Sequence, residues 1–315
     1  MPETLNLSDA RKFEAPREKN VIGAPSRQFH SLPALASATF ALVAAFAVPL
    51  WHLARFAAHN DLYSHILLIP AISAYLIWRK RKKLIHSWKP AWRQSALCVT
   101  TGAATIIVWR IASENAEMTE ANSLALTTIS FLFFFAGICF SAPGLKNLRE
   151  IIFPIALLIF IVPAPSALTN WIETFLQHGS AVVAGALFYL SGMPALSDGL
   201  TIQLPGCNLR VEPECSGIHS TLALLITALL AGNLFLNGNW KRIILATSVV
   251  PLALLRNGLR IFVLGELCVR LGPDIIRSEF HRHGGILFFI LSLVPLLLLL
   301  LFLRKFPGSR RSNEN

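Results

Sequence analysis

The sequence predicts an all-α integral membrane protein with about eight transmembrane helices, a re-entrant or interfacial helix and a small extracytoplasmic β-hairpin. Three observations carry that expectation. Of the 315 residues 54% are hydrophobic and only 14% charged, with mean hydropathy +0.57, which is too apolar and too poor in charge for a water-soluble domain. Eight stretches are long enough to cross a bilayer, a task that takes about 20 apolar residues. Short basic clusters separate them, the pattern by which membrane proteins set their orientation. The net charge of +11 is spread through these connecting segments, so it reads as a topology signal and not as a nucleic-acid footprint.

Residues 1–32 are polar and mixed in charge, without the apolar core and small-residue cleavage site of a signal peptide. They read as a disordered cytoplasmic arm, and the first span serves as an uncleaved insertion signal. Residues 33–303 form one transmembrane domain, with spans near 33–54, 62–78, 95–113, 122–143, 150–169, 215–236, 243–265 and 284–303. Residues 304–315 form a basic cytoplasmic tail.

Arg79-Lys80-Arg81-Lys82-Lys83, then Lys89 and Arg93, place the loop after the second span in the cytoplasm. The acidic loop 113–120 falls outside and Lys146 with Arg149 inside, so the alternation holds. Trp171 to Leu190 is apolar but carries Glu173, Gln177 and His178. If it crossed the membrane, Lys241-Arg242 and Arg304-Lys305 would both lie outside. Read as interfacial or re-entrant it leaves both clusters in the cytoplasm. Cys215, Arg260 and His281 then all reach the extracytoplasmic face, and both chain ends stay inside. Thr201 to Val211 alternates around Pro205-Gly206, the pattern of a hairpin that delivers Cys215 to the head of its helix.

Five cysteines show no paired CxxC spacing, so no metal site is expected, and no cofactor is implied. Cys98 and Cys139 lie inside apolar runs and read as inert. Cys207, Cys215 and Cys268 fall near segment ends, where a reactive thiol or a disulfide is expected. Cys215 opens a helix with Ser216 and Gly217 behind it, and a helix N-terminus favours a thiolate and offers amides to an oxyanion. Arg260, with Asn257 three residues earlier on the same face, lies too deep in its span to be a snorkelling terminus. It reads either as a fixed cation for thiolate or oxyanion, or as a buried arginine paired to Glu266 or Glu214. Arg256 is the second candidate for that cation. For the base, His281 is the first choice, with His283 and His219 open; His219 lies four residues after Cys215 and so on the same helical face.

Cys215-Ser216-Gly217 at a helix start, Asn257-x-x-Arg260, and His281-x-x-x-Gly285 with Phe289 resemble the three signature blocks of the exosortase and archaeosortase family. Tyr63-Ser64-His65, the run Leu76 to Arg81, Val162-Pro163-Ala164-Pro165 and the strand-like stretch before the cysteine add to the resemblance, which spans residues 60 to 303. The histidine of the third block is similar to exosortases, where archaeosortases tend to carry arginine. The chain departs from the family pattern in having Pro213, between Glu212 and Glu214, where a carboxylate is common, and His219 where arginine is frequent.

The resemblance implies a membrane-embedded cysteine peptidase or transpeptidase of the bacterial inner membrane. Its partners would be exported proteins ending in a Pro-Glu-Pro type signal, a membrane helix and a basic tail, together with membrane lipid and an acceptor nucleophile that the sequence does not name. By the resemblance Cys215 is nucleophile, Arg260 stabilises charge and His281 is acid and base, through a thioester acyl-enzyme. Two rival expectations stand beside it: a thiol-disulfide oxidoreductase using Cys207 and Cys215, and a transporter with Arg260 and the histidines along its pathway. The first lacks a CxxC pair, and the second lacks an internal repeat.

Overall fold

The computed structural model describes residues 31–80, 91–115, 118–141, 145–213, 216–272 and 279–306. Its helices are α1 (Ser31–Ala45), α2 (Ala47–His59), α3 (His65–Lys80), α4 (Trp92–Asn115), α5 (Glu120–Ser141), α6 (Leu145–Leu157), α7 (Ser166–Ser191), α8 (Ile218–Phe235), α9 (Asn239–Thr247), α10 (Val249–Leu271) and α11 (Glu279–Lys305). One antiparallel sheet, β1 (Leu196–Asp198), β2 (Thr201–Leu204) and β3 (Cys207–Arg210), interrupts them between α7 and α8. The expected disordered arm and most of the basic tail lie outside the described residues.

Five helical segments among the described residues are long and apolar enough to cross a membrane: Asp61–Lys80, Trp92–Glu114, Glu120–Ser141, Ile218–Phe235 and Leu287–Lys305. Two bent pairs raise the number to at most seven, against the eight spans expected. The difference has identifiable causes. The first expected span breaks at Phe46, where α1 and α2 meet at 68°. The fifth span and the polar-marked segment after it form a second bent pair, turning by 93° where Val162-Pro163-Ala164-Pro165 leads into α7. Two prolines in four residues remove backbone donors and disfavour helix before them, which is why the chain turns there. The seventh span divides into α9 and α10, and α10 carries Arg256, Arg260, Glu266 and Arg270, too many charges to count as a simple span.

Small residues set the helix contacts, as expected where lipid supplies no hydrophobic drive between helices. In the antiparallel α4–α5 pair, Ser95 Oγ donates to the Gly137 carbonyl at 2.9 Å, Ser130 Oγ to the Gly102 carbonyl at 2.8 Å, and Trp109 Nε1 to Ser123 Oγ at 2.9 Å. These pairs recur about every two turns, a seam-like spacing. α11 shows the complementary face: Leu287, Ile290, Leu291, Val294, Leu297, Leu298 and Leu301 are exposed at helical spacing, while Phe288, Leu296, Leu300 and Leu303 are buried. An exposed stripe of large aliphatics is what a lipid-facing helix presents.

α7 and α10 run parallel. A Cβ on Gly179 would meet Leu254, one on Gly258 would meet Val183, and one on Gly265 would meet Phe188 at 2.4 Å, so the residue numbers rise together along the contact. The sheet packs on their common C-terminal end, where Phe188, Ile202, Leu204, Leu209, Ile261 and Cys268 form one cluster. A disulfide between Cys207 of β3 and Cys268 of α10 ties it there. The expected hairpin is present as β2–β3, with Leu204 opposite Cys207 across Pro205-Gly206. β1, paired through Asp198 and Thr201, is an additional strand too short to show an alternation.

Candidate active site

The chain leaves the sheet at Val211 and enters α8 at Ile218, and the two described ends of that connection are held by neighbouring helices. Gln177 Nε2 on α7 donates to the Val211 carbonyl at 3.2 Å. Asn257 Nδ2 on α10 donates to Ser180 Oγ on α7 at 3.0 Å and to the Ser216 carbonyl at 3.3 Å. Arg256 Nη2 donates to the Gly217 carbonyl at 3.2 Å and to Thr221 Oγ1 at 3.4 Å. Ser216, Arg256 and Asn257 are 1%, 7% and 2% exposed, so these bonds form away from water, where an unmade partner is costly.

Gly217 is required on two counts. Its φ of +73° is left-handed, and a Cβ built on it would lie 2.7 Å from Arg256 Nη2 and 3.3 Å from Asn257 Oδ1. Its carbonyl also accepts from Ser220 Oγ at 3.1 Å and from Thr221 Oγ1 at 2.8 Å. α8 therefore starts at a fixed point with a fixed direction.

Cys215 itself lies outside the described residues, one position before Ser216. His281 and His283 fall in the first turn of α11, with side chains outside the described part. The topology nevertheless brings their backbone segment to the same end of the bundle. The C-terminal ends of α8 and α11 meet beside Lys241, where Leu234, Phe235 and Phe306 line one cavity. The two helices therefore point the same way, so both start toward the opposite end, the longer α11 reaching past the first turn of α8. Arg256, Asn257 and Arg260 belong to that end through Ser216 and Gly217.

The sequence expectations separate here. Asn257 is central, Ser216 is buried and Gly217 half-buried against α10, and Arg256 is more deeply seated than the sequence ranking implied. Arg260 is half-buried one turn further along α10. Of the two carboxylates expected as its partners, Glu266 is engaged by Arg270 through Nε and Nη2, and Glu214 lies outside the described residues. His219 is exposed on the first turn of α8. The pairing of Cys207 with Cys215, on which the oxidoreductase alternative depended, gives way to the Cys207–Cys268 disulfide. Gln177 and Ser180 were missed as site residues. Gln177 counted, with Glu173 and His178, only toward interfacial placement, and Ser180, three residues on along an otherwise apolar helix, was the signal left unused. No group of three or more metal-ligating side chains occurs among the described residues.

A connection bonded by guanidinium and carboxamide at the head of an apolar helix, among several helices long and apolar enough to span a bilayer, defines a multi-pass membrane protein with a buried polar clamp. The transmembrane exosortase family model matches residues 51–298, and the chain belongs to that family. No curated protein matches the chain, and no solved structure matches it.

Proposed function

We propose that this exosortase-family protein is a membrane cysteine peptidase and transpeptidase that removes the C-terminal sorting signal of exported proteins. The observation that carries the reading is the clamp on Ser216 and Gly217: Arg256, Asn257, Ser180 and Gln177 converge on the connection that holds Cys215. Such over-determination of one short loop is what a positioned nucleophile needs. In this reading His281 takes the thiol proton of Cys215, and the thiolate adds to the scissile carbonyl carbon. The carbonyl electrons move to oxygen, where Arg260 and the first amides of α8 stabilise the charge. Collapse expels the amine, which takes its proton from the His281 imidazolium, and leaves an acyl thioester on Cys215. An acceptor nucleophile, water or another, then loses a proton to His281 and attacks the thioester, releasing the thiolate.

In this reading the site lies on the extracytoplasmic face of the inner membrane, with α7 as an interfacial or re-entrant helix. The disulfide favours this, since such bonds persist on oxidising sides of membranes, and so do the basic clusters at 79–83 and 241–242. The substrate is a protein with a Pro-Glu-Pro type signal, a membrane helix and a basic tail. The disulfide also weighs against the oxidoreductase alternative, because it occupies the thiol that Cys215 would need.

The test is conversion of a precursor carrying such a tail, with membrane levels of each variant matched. Cys215→Ala abolishes processing and Cys215→Ser nearly so, because a hydroxyl needs far stronger activation than a thiol. His281→Ala loses about 10²–10⁴-fold, the usual contribution of a general base, while His283→Ala and His219→Ala retain turnover. Full processing by Cys215→Ala at normal abundance overturns the reading.

A further inference from the structure

At the end of the bundle opposite the proposed active site, α8, α9 and α11 enclose a cavity of about 480 Å³. Three cations line it, Lys241, Arg304 and Lys305, and among the described residues no carboxylate does. Lys241 is 3% exposed, so its ammonium is almost wholly removed from water. One of its three donors goes to the Phe306 carbonyl, the single hydrogen bond it makes to the described residues. The nearby Trp240 ring lies 5.6 Å from the nitrogen. Among the described residues, two donors of a buried cation are thus left without a protein acceptor beside a cavity that holds two further positive charges. The adjacent Arg242 is a contrast, since its Nε and Nη2 both donate to the Leu236 carbonyl at 3.2 and 3.0 Å and cap α8.

Attraction to helix dipoles explains basic residues in the last turn of α11. It does not explain why Lys241 is buried next to a cavity with donors unused. Burying a charge without a counter-charge is expensive, so the site as it stands asks for an anion. Its depth and walls narrow the choice. The cavity lies at the ends of two apolar spans, Ile218–Phe235 and Leu287–Lys305, which is the level of lipid headgroups. Phe235, Trp240 and Phe306 are exposed around it, as aromatic residues are at a membrane interface, and Leu234 gives it an apolar wall.

We propose that this cavity binds the phosphate of an anionic phospholipid, with Lys241 as its buried donor, Arg304 and Lys305 closing over the headgroup, and Leu234 and Phe235 against the acyl chains. Basic pockets between membrane helices take such headgroups. The inference does not depend on the protease reading, because it concerns the opposite end of the molecule.

The full-length protein, delipidated in a neutral detergent, is titrated with phosphatidylglycerol, cardiolipin, phosphatidylcholine and inorganic phosphate, while thermal stability and lipid adducts by native mass spectrometry are followed. Phosphatidylglycerol or cardiolipin raises the melting temperature and is retained as a discrete adduct, and phosphatidylcholine does neither. Lys241→Met removes the effect but also removes the bond to Phe306, so the deciding variant is Arg304→Gln with Lys305→Gln, which alters exposed side chains only. That variant keeps the lipid-free melting temperature and binds phosphatidylglycerol about fivefold more weakly per cation removed. Equal stabilisation by phosphatidylcholine, unchanged phosphatidylglycerol binding in the double variant, or saturation by inorganic phosphate alone overturns the proposal.

Discussion

Gly217 and Arg256 illustrate how a single contact ties two segments that are distant in sequence. The guanidinium bonds the Gly217 carbonyl on one side, and its Nη1 is buried with no partner among the described residues. Gly217→Ala forces a left-handed alanine and drives a methyl group toward Arg256 Nη2, so it is expected to cost about 1–3 kcal/mol and to lower processing sharply. Arg256→Lys keeps the charge but not the planar fork, and a displaced loop is expected to lose about 10²-fold in turnover. The readout that separates positioning from mere instability is the pH profile of Cys215 alkylation. If Arg256 lies close enough to favour the thiolate, Arg256→Gln moves that profile to higher pH, because a lost cation makes the thiol harder to ionise. An unchanged profile with unchanged processing would remove Arg256 from the site. Asn257, which the fold bonds to Ser180 and Ser216, was legible in the sequence because a polar residue deep in an apolar run is conspicuous. Gln177 and Ser180 were not, because only the parallel packing of α7 on α10 brings them to a loop more than thirty residues later.

At the scale of elements, the sheet and α10 are joined by a bond that periodicity does not reveal. Cys207 and Cys268 are 61 residues apart, with Cα atoms 6.3 Å apart in the fold. The alternation from Thr201 to Val211 was enough to predict β2 and β3, since residues on one face of a strand recur every second position. It said nothing of where the hairpin docks, because that depends on Phe188, Leu204 and Leu209 crowding the bare backbone of Gly265. Cys207→Ala and Cys268→Ala are each expected to lower stability by about 2–4 kcal/mol, the usual worth of a disulfide closing a long loop. The double variant is expected to lose no more than either single one, since each removes the same bond. Thermal unfolding in detergent checks this. Processing by Cys207→Ala persists at temperatures where the variant stays folded, whereas Cys215→Ala has none at any temperature. Equal loss of activity in the two would return Cys207 to the chemistry.

For the molecule as a whole, hydropathy located the apolar material well but not the joints within it. A window over residues 33–54 cannot see that the helix breaks at Phe46, and one over 150–169 cannot see a right-angle turn between Ile161 and Ser166. Charge alternation therefore carries the topology, and it makes a prediction that the fold sharpens. The sheet sits at the C-terminal ends of α7 and α10, away from the Lys241 end of α9 and α11, so the proposed topology puts the two ends of the bundle on opposite sides of the bilayer. Ser197 is exposed on β1 at the first end, while Ser87 belongs to the basic loop expected inside. With Cys98, Cys139 and Cys215 replaced, an impermeant maleimide added to intact spheroplasts should label Ser197→Cys within minutes and Ser87→Cys only after lysis. The Cys207–Cys268 pair should stay unlabelled until a reductant is added, at which point it should react from the same side as Ser197→Cys. Labelling in the opposite sense would turn the bundle over, put the proposed active site in the cytoplasm, and leave a disulfide standing in a reducing compartment.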